Sequence, residues 1–222
     1  SLGTNGSALG TTVGGSVDMK LTEPSIERKG YTGTAGMGYQ SVSNGFNLYS
    51  TSNYSWAREA LNASLVYRKS DNYTDGNGIE VLYSQYEKVN FATAYRKVWG
   101  TRSIQGDLLI DMGRNIGFPA LPMDVGEANA QLYSITYEQT RPMGFIETLK
   151  AKAYGNRIYH SMDDTNRPDV VMHMDMPGWS ETWGAYVEND WKTLGKHSLR
   201  SRLDFYSNHV QADMVMYPDG HA

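Results

Sequence analysis

The sequence predicts an all-β chain, an antiparallel up-and-down transmembrane β-barrel present only in part. Three observations lead there. From about Gly30 onward, stretches of about ten alternating apolar and polar residues repeat along the chain, which is how the strands of a membrane barrel read. The links between them are short and long by turns, the asymmetry of barrels with tight turns at one rim and long loops at the other. The chain also carries 16 Tyr and 5 Trp, amphipathic aromatics suited to membrane interfaces. The segment Leu199–Phe205 shows the pattern best. Leu199, Leu203 and Phe205 share one face, and Arg200, Arg202 and Asp204 share the other. Arginines inward and leucines outward are inside-out for a soluble sandwich and correct for a barrel with lipid outside and a wet lumen.

Nine strands are expected, at Tyr31–Ser41, Phe46–Trp56, Asn62–Ser70, Glu87–Trp99, Ser103–Met112, Ala130–Gln139, Phe145–His160, Thr182–Trp191 and Ser198–Asn208. The first two are joined by the tight Ser43-Asn44-Gly45. In the third, Ala63, Leu65 and Tyr67 alternate with Ser64 and Arg68. In the fourth, Val89, Phe91 and Tyr95 alternate with Lys88, Asn90 and Arg96. In the fifth, Ile104, Leu108 and Ile110 alternate with Gln105, Asp107 and Asp111. In the seventh, Leu149, Ala151 and Ala153 alternate with Lys150, Lys152 and Asn156. In the eighth, Trp183, Ala185 and Val187 alternate with Tyr186 and Glu188. The links Asp71–Tyr86, Gly113–Asn129 and Ser161–Glu181 are long, and Ala57–Leu61, Gly100–Arg102, Thr140–Gly144 and Lys192–His197 are short. This orients the chain, with the third, fifth, seventh and ninth strands running outward. Trp56, Trp99 and Trp191 then end inward-running strands at the periplasmic girdle, and Trp183 begins one at the outer girdle.

Composition narrows the classes. No apolar run approaches the ~18 residues of a spanning helix, and the mean hydropathy is −0.53. Low hydropathy suits a barrel, because half of each strand is polar. A net charge of −4 argues against a nucleic-acid surface. Cysteine is absent, so neither disulfides nor a thiol nucleophile contribute. The sequence lacks G-x-S-x-G, H-E-x-x-H and P-loop motifs, and an enzyme is not expected. Ser1 opens a Gly/Ser/Thr-rich segment rather than a secretory leader, so a processed or trimmed start is expected. Nine strands leave an open edge, and unpaired amides are costly in hydrocarbon. The chain is therefore expected to belong to a larger barrel.

The first 25 residues lie outside the strand rhythm. Gly6–Leu21, GSALGTTVGGSVDMKL, resembles the closing segment of the plug in TonB-dependent outer-membrane receptors, through Gly6, Ser7, Leu9, Gly10, Gly14, Gly15, Val17 and Asp18. RNIGFPALPMD (Arg114–Asp124), YHSMDDTNRPD (Tyr159–Asp169), MHMDMPGWSETWGAYVE (Met172–Glu188) and MYPDG (Met216–Gly220) are similar to loop motifs of such receptors from Bacteroidetes-type bacteria. The resemblance covers essentially the whole chain. It implies residues 1–25 as the end of a plug domain and residues 26–222 as the N-terminal part of a barrel of about 22 strands. It further implies a bacterial outer-membrane location, lipid around the barrel, and the TonB-ExbB-ExbD system acting through plug sequence absent here. The ending His221-Ala222 differs from the C-terminal aromatic such barrels carry.

The chemistry centres on His160-Ser161-Met162. Counted from Lys150, Lys152 and Asn156, both His160 and Met162 have lumen parity, about 7 Å apart on one strand face. A thioether beside an imidazole is a soft donor pair that favours copper, Cu(I) above all. The copper branch of the receptor family carries such an H-x-M pair in the barrel, completed by a C-x-x-x-M pair in the plug. The resemblance thus implies half a copper site here, with copper or a copper chelate as cargo and no required cofactor. Met172, His173, Met174, Met176, Met214 and Met216 are further candidates near the outer mouth; flexible packing of the loops over the plug is the preferred account of the methionines. Asp71–Gly78 has the look of a Ca²⁺ loop but lacks an acidic twelfth position, which makes it a solvated turn. Lys150, Lys152, Glu188, Arg200, Arg202 and Asp204 are expected to form cross-strand ion pairs.

Energy-coupled uptake of copper is the expected function. The alternatives are uptake of a siderophore, corrinoid or other small organic ligand, a passive porin or adhesin barrel, and a soluble secreted β-protein. The plug-like Gly6–Leu21 separates the receptor from a porin.

Overall fold

The computed structural model describes residues 22–167, 170, 172–195 and 197–217. The plug-like Gly6–Leu21 lies outside them. The chain folds as one antiparallel sheet of long strands. These are β1 (Gly30–Gln40), β2 (Gly45–Trp56), β3 (Glu59–Ser70), β4 (Tyr86–Trp99), β5 (Arg102–Ile116), β6 (Asp124–Met143), β7 (Ile146–Asp163), β8 (His173–Leu194), β9 (His197–Ala212) and β10 (Val215–Tyr217). Each strand from β1 to β8 pairs with its neighbour in sequence. β9 and β10 both pair β8 in one register, Ala212 opposite Gly178 and Met216 opposite Met174. They are one broken strand, so the chain makes nine passes.

At one end of the sheet every link is two residues: 57–58, 100–101, 144–145 and 195–196. The commonest two-residue hairpins use residues with positive φ to match strand twist. Gly100 and Gly195 supply it, at φ 57° and 66°. At the other end the links are 41–44, 71–85, 117–123 and 164–172. The strands outrun the sequence reading most at this end. β6 has 20 residues and β8 has 22. Beyond the apolar band the ladder pairing persists while the apolar–polar alternation lapses. Polar residues there read as loop.

The ladder also fixes which side chains share a face, because directly paired residues point the same way. One row runs Asp204, Tyr186, Lys152, Thr136, Gln105 and Arg96. A neighbouring row on the other face runs Phe205, Ala185, Ala153, Ile135, Gly106, Tyr95 and Leu61. One face is therefore polar and the other apolar across the whole sheet. On the apolar face Leu203 is 77% exposed, and Leu199 and Phe205 are exposed beside it. Among the described residues the buried hydrophobic side chains are Ala60, Ala94, Met123, Val125 and Ile146, too small a set for a soluble core. An apolar surface of this extent requires an apolar partner. Polar pairs bound the band: Lys97–Glu59 at 2.8 Å near the short links and Arg157–Glu181 at 3.0 Å near the long ones. Aromatics mark the same two levels. Phe145 stacks on Trp191 and Tyr54 on Trp56 at one, and Trp183 packs on Phe205 at the other.

This arrangement makes a sidedness prediction. A lipid-facing arginine near the midplane costs ~2–4 kcal/mol, so the two faces cannot exchange. Single cysteine probes at Leu203 and Arg202 in the full-length protein in bilayers measure it. Lipid-soluble quenchers reach position 203 and spare 202; the reverse pattern means the faces are inverted.

Candidate functional site

The polar face near the long links carries the candidate donors. His160 and Met162 lie on β7, on the face that bears Lys150 and Lys152. β8 brings Gly178 opposite His160 and Met176 opposite Met162. Met174 lies two residues beyond Met176 on the same face, and β10 places Met216 opposite Met174. Met214 falls between Ala212 and Met216, level with Met176. Directly opposed side chains on a sheet have Cβ atoms about 4.5–5.5 Å apart. Met162 and Met176 thus lie nearest His160, and Met174 and Met216 continue the same face farther toward the rim. Gly178 presents no side chain to His160. Among the described residues no three His, Cys, Asp or Glu side chains converge as a metal cluster.

The remaining candidates are placed differently. Met172 precedes β8 and is exposed. His173 pairs with Tyr217 on the opposite face, and its Nδ1 lies 3.0 Å from Asp164 Oδ1. Asp164 is fully buried, and its other oxygen accepts the Met174 N–H at 3.0 Å. His173 therefore helps shape the turn into β8, while Met174 and Met176 carry the donors inward.

Sequence reading missed a clasp beside this rim. Arg167 is buried and donates Nε to Asp124 Oδ2 at 3.1 Å and Nη2 to Asp124 Oδ1 at 2.5 Å. The same Nη2 donates to the Phe118 carbonyl at 3.0 Å, and the guanidinium lies 3.5 Å from the centre of the Tyr83 ring. Gly117 N–H donates to the Gln85 carbonyl at 2.9 Å. A Cβ on Gly117 would sit 2.3 Å from the Tyr83 carbonyl, so only glycine permits this approach. Arg167 thus ties the links 71–85, 117–123 and 164–172 together. Asp124 and Val125 pair with Asp163 and Met162, so the clasp also fixes the strand end that carries Met162. Two of the four loop motifs meet here, through Asp124 of one and Arg167 of the other.

Elsewhere the polar face is internally paired. Arg202 bonds Asp204 at 2.7 Å, lies 3.6 Å from Glu188, and stacks 3.8 Å over Tyr186. Arg200 bonds Asp190 at 2.6 Å. Of the six residues expected to form cross-strand ion pairs, Glu188, Arg200 and Arg202 do so, and Asp204 pairs along its own strand with Arg202. Lys150 and Lys152 make none among the described residues. At the rim, Asp75 accepts the N–H groups of Asn77 and Ile79 at 2.8 and 2.9 Å. The Ile79 and Asn77 amides hold its carboxyl below the usual carboxylate range. Its oxygens serve a turn, as the missing twelfth ligand implied.

No family model and no curated protein sequence matches the chain. Solved structures do. One, described as "Copper transporter OprC", superposes with a TM-score of 0.74 over 86% of this chain at 20% identity. Another, "The FrpB iron transporter from Neisseria meningitidis (F3-3 variant)", gives 0.66 over 84% of the chain at 16% identity. The chain has the fold of part of a transmembrane barrel. It spans 31% and 32% of the lengths of those two proteins, and at these identities the likeness is one of fold.

Arg167 provides the test of the rim. Removing one partner of a buried, hydrogen-bonded ion pair costs about 3–5 kcal/mol locally. In the full-length protein, Arg167→Ala should raise amide exchange in residues 117–123 and 164–167 by at least tenfold. The β2–β3 ladder should be unchanged. Equal exchange in both proteins would show that the clasp is dispensable.

Proposed function

We propose that the chain is part of a TonB-dependent outer-membrane receptor that takes up copper or a small copper chelate. The apolar face meets outer-membrane lipid, the polar face lines the lumen, and the long links face the outside of the cell. Cargo binds at the lumen face of the outer rim. His160 and Met162 supply two donors. Met176, Met174, Met214 and Met216 extend the soft surface, and the exposed Met172 lies beside it. The observation that carries the reading is the pairing of Met162 with Met176 on the polar face, two residues along from His160, with Met174 and Met216 continuing that face. Soft sulfur donors select Cu(I) over Zn²⁺, Fe³⁺ and the harder ions. The shared fold with a copper transporter supports it. No cofactor is needed, because the ion is cargo. Energy for release comes from the TonB system acting on plug residues upstream.

The shared fold with an iron transporter supports the second reading, uptake of an iron chelate or another small organic ligand. The donor set favours the copper reading, since iron chelates present oxygen-rich surfaces, which thioethers bind poorly.

The test uses the complete receptor. His160→Ala with Met162→Ala should lower bound copper at least tenfold, measured by metal analysis after purification. Heat-modifiable electrophoretic mobility, the mark of an assembled barrel, should be unchanged. Copper occupancy equal to wild type would assign these side chains to packing and favour the organic-ligand reading.

A further inference from the structure

The polar face of β2–β4 holds a second built feature, away from the metal candidates. Residues 22–25 lie across it. The Asn53 side chain accepts the Ser25 N–H through Oδ1 and donates to the Ser25 carbonyl through Nδ2, both at 3.0 Å. This is the paired contact one strand makes with another, supplied by a side-chain amide. Asn62 Nδ2 donates to the Thr22 carbonyl at 2.5 Å, and its Oδ1 accepts the Ala94 N–H at 2.9 Å. The Asn62 amide is thus held in one orientation by the barrel wall itself. Arg96 Nη1 lies 2.8 Å from Glu23 Oε2. Pro24 is fully buried; it has no N–H to leave unsatisfied. The wall residues nearest in register are small and closed off: Ser55, Ala60 and Ala94 are 1%, 0% and 3% exposed.

We infer that Asn53, Asn62 and Arg96 are positioning residues that hold Thr22–Ser25 as a fixed anchor, so that movement imposed on the plug stops at Thr22. The inference deepens the receptor reading and rests on it for its meaning in transport. Four features point to an anchor rather than a passing contact. Asn53 satisfies both backbone groups of one residue. Asn62 is pre-oriented by β4. Pro24 restricts the backbone at the buried step. The small side chains beneath leave a recess that a leucine or phenylalanine would fill. The Arg96–Glu23 pair is half exposed at Glu23 and adds direction more than strength. The anchor moves the mechanical boundary between plug and barrel from residue 25 to residue 22. Thr22–Ser25 then belong with the barrel wall, and pulling from the N-terminal side stresses the chain just before Thr22.

Two measurements on the full-length receptor test this. The first needs no cargo. Amide exchange of the peptide spanning residues 22–26 should be slow in the wild type. It should be at least tenfold faster in the Asn53→Ala, Asn62→Ala double variant, with unchanged heat-modifiable mobility. Fast exchange in the wild type, or no change in the variant, overturns the anchor. The second uses a Ser25→Cys, Asn53→Cys disulfide lock. Cells carrying the locked receptor should accumulate copper within twofold of the same cells after reduction, above the level of cells lacking TonB. Accumulation lost on locking and restored by reduction would show that this segment must move, and would overturn the anchor. If the wild-type receptor accumulates no copper above cells lacking TonB, the transport reading fails, and the exchange result still decides the anchor.

Discussion

The rest of the structure depends on one constraint: every backbone amide in an apolar medium must find its partner within the protein. An unpaired N–H or C=O in hydrocarbon costs several kcal/mol, so a chain that presents leucine and phenylalanine outward must run its ladder without gaps. The sheet from β1 to β9 does this over long strands with few irregularities. Register shifts fall near strand ends, between Val125 and Glu127, between Thr140 and Met143, between Ile146 and Thr148, and between Trp191 and Leu194. Because the register is nearly continuous, facing is inherited from strand to strand. Once Leu203 faces one way, Val187, Ala151, Tyr137 and Ile104 face the same way.

That inheritance also places the candidate donors on one face. His160 and Met162 share a face because they are two residues apart. Met176 joins them because β8 pairs β7 without a slip at that level. Met216 joins because β10 keeps the register of β9 past its break. No loop conformation has to be specified to gather these side chains. The loops contribute something else, a rim tied by side-chain contacts. Asp124, Asp164 and Arg167 bury charge to hold the turns around the strand ends. Buried charge is stabilising in place only when fully paired. Its return here is a single arrangement of three links.

Strand existence, order and facing were legible in the sequence, because alternation has a period of two and a one-residue slip would turn every side chain over. The assignment of Leu65, Phe91, Leu108, Leu149 and Leu203 to one face, and of Arg96, Lys150, Lys152, Arg200 and Arg202 to the other, agrees with the paired rows. Strand ends at the long-link rim were not legible. There the arms leave the apolar band, and Met174 and Met176 read as loop although they lie in β8. The clasp was not legible either. Arg167 and Asp124 are 43 residues apart, and nothing local marks either as a partner. The grip on residues 22–25 was equally hidden, since an asparagine on a polar strand face looks like ordinary lumen lining.

The central claim is that the inner face of the outer rim is a soft-metal surface. The most direct measurement is anomalous diffraction at the copper absorption edge, from crystals of the complete receptor purified with copper. The account predicts a peak bridging His160 and the Met162 thioether on the polar face, within reach of Met176. A peak bound only by oxygen or nitrogen ligands elsewhere, or no peak with the receptor otherwise intact, would contradict it.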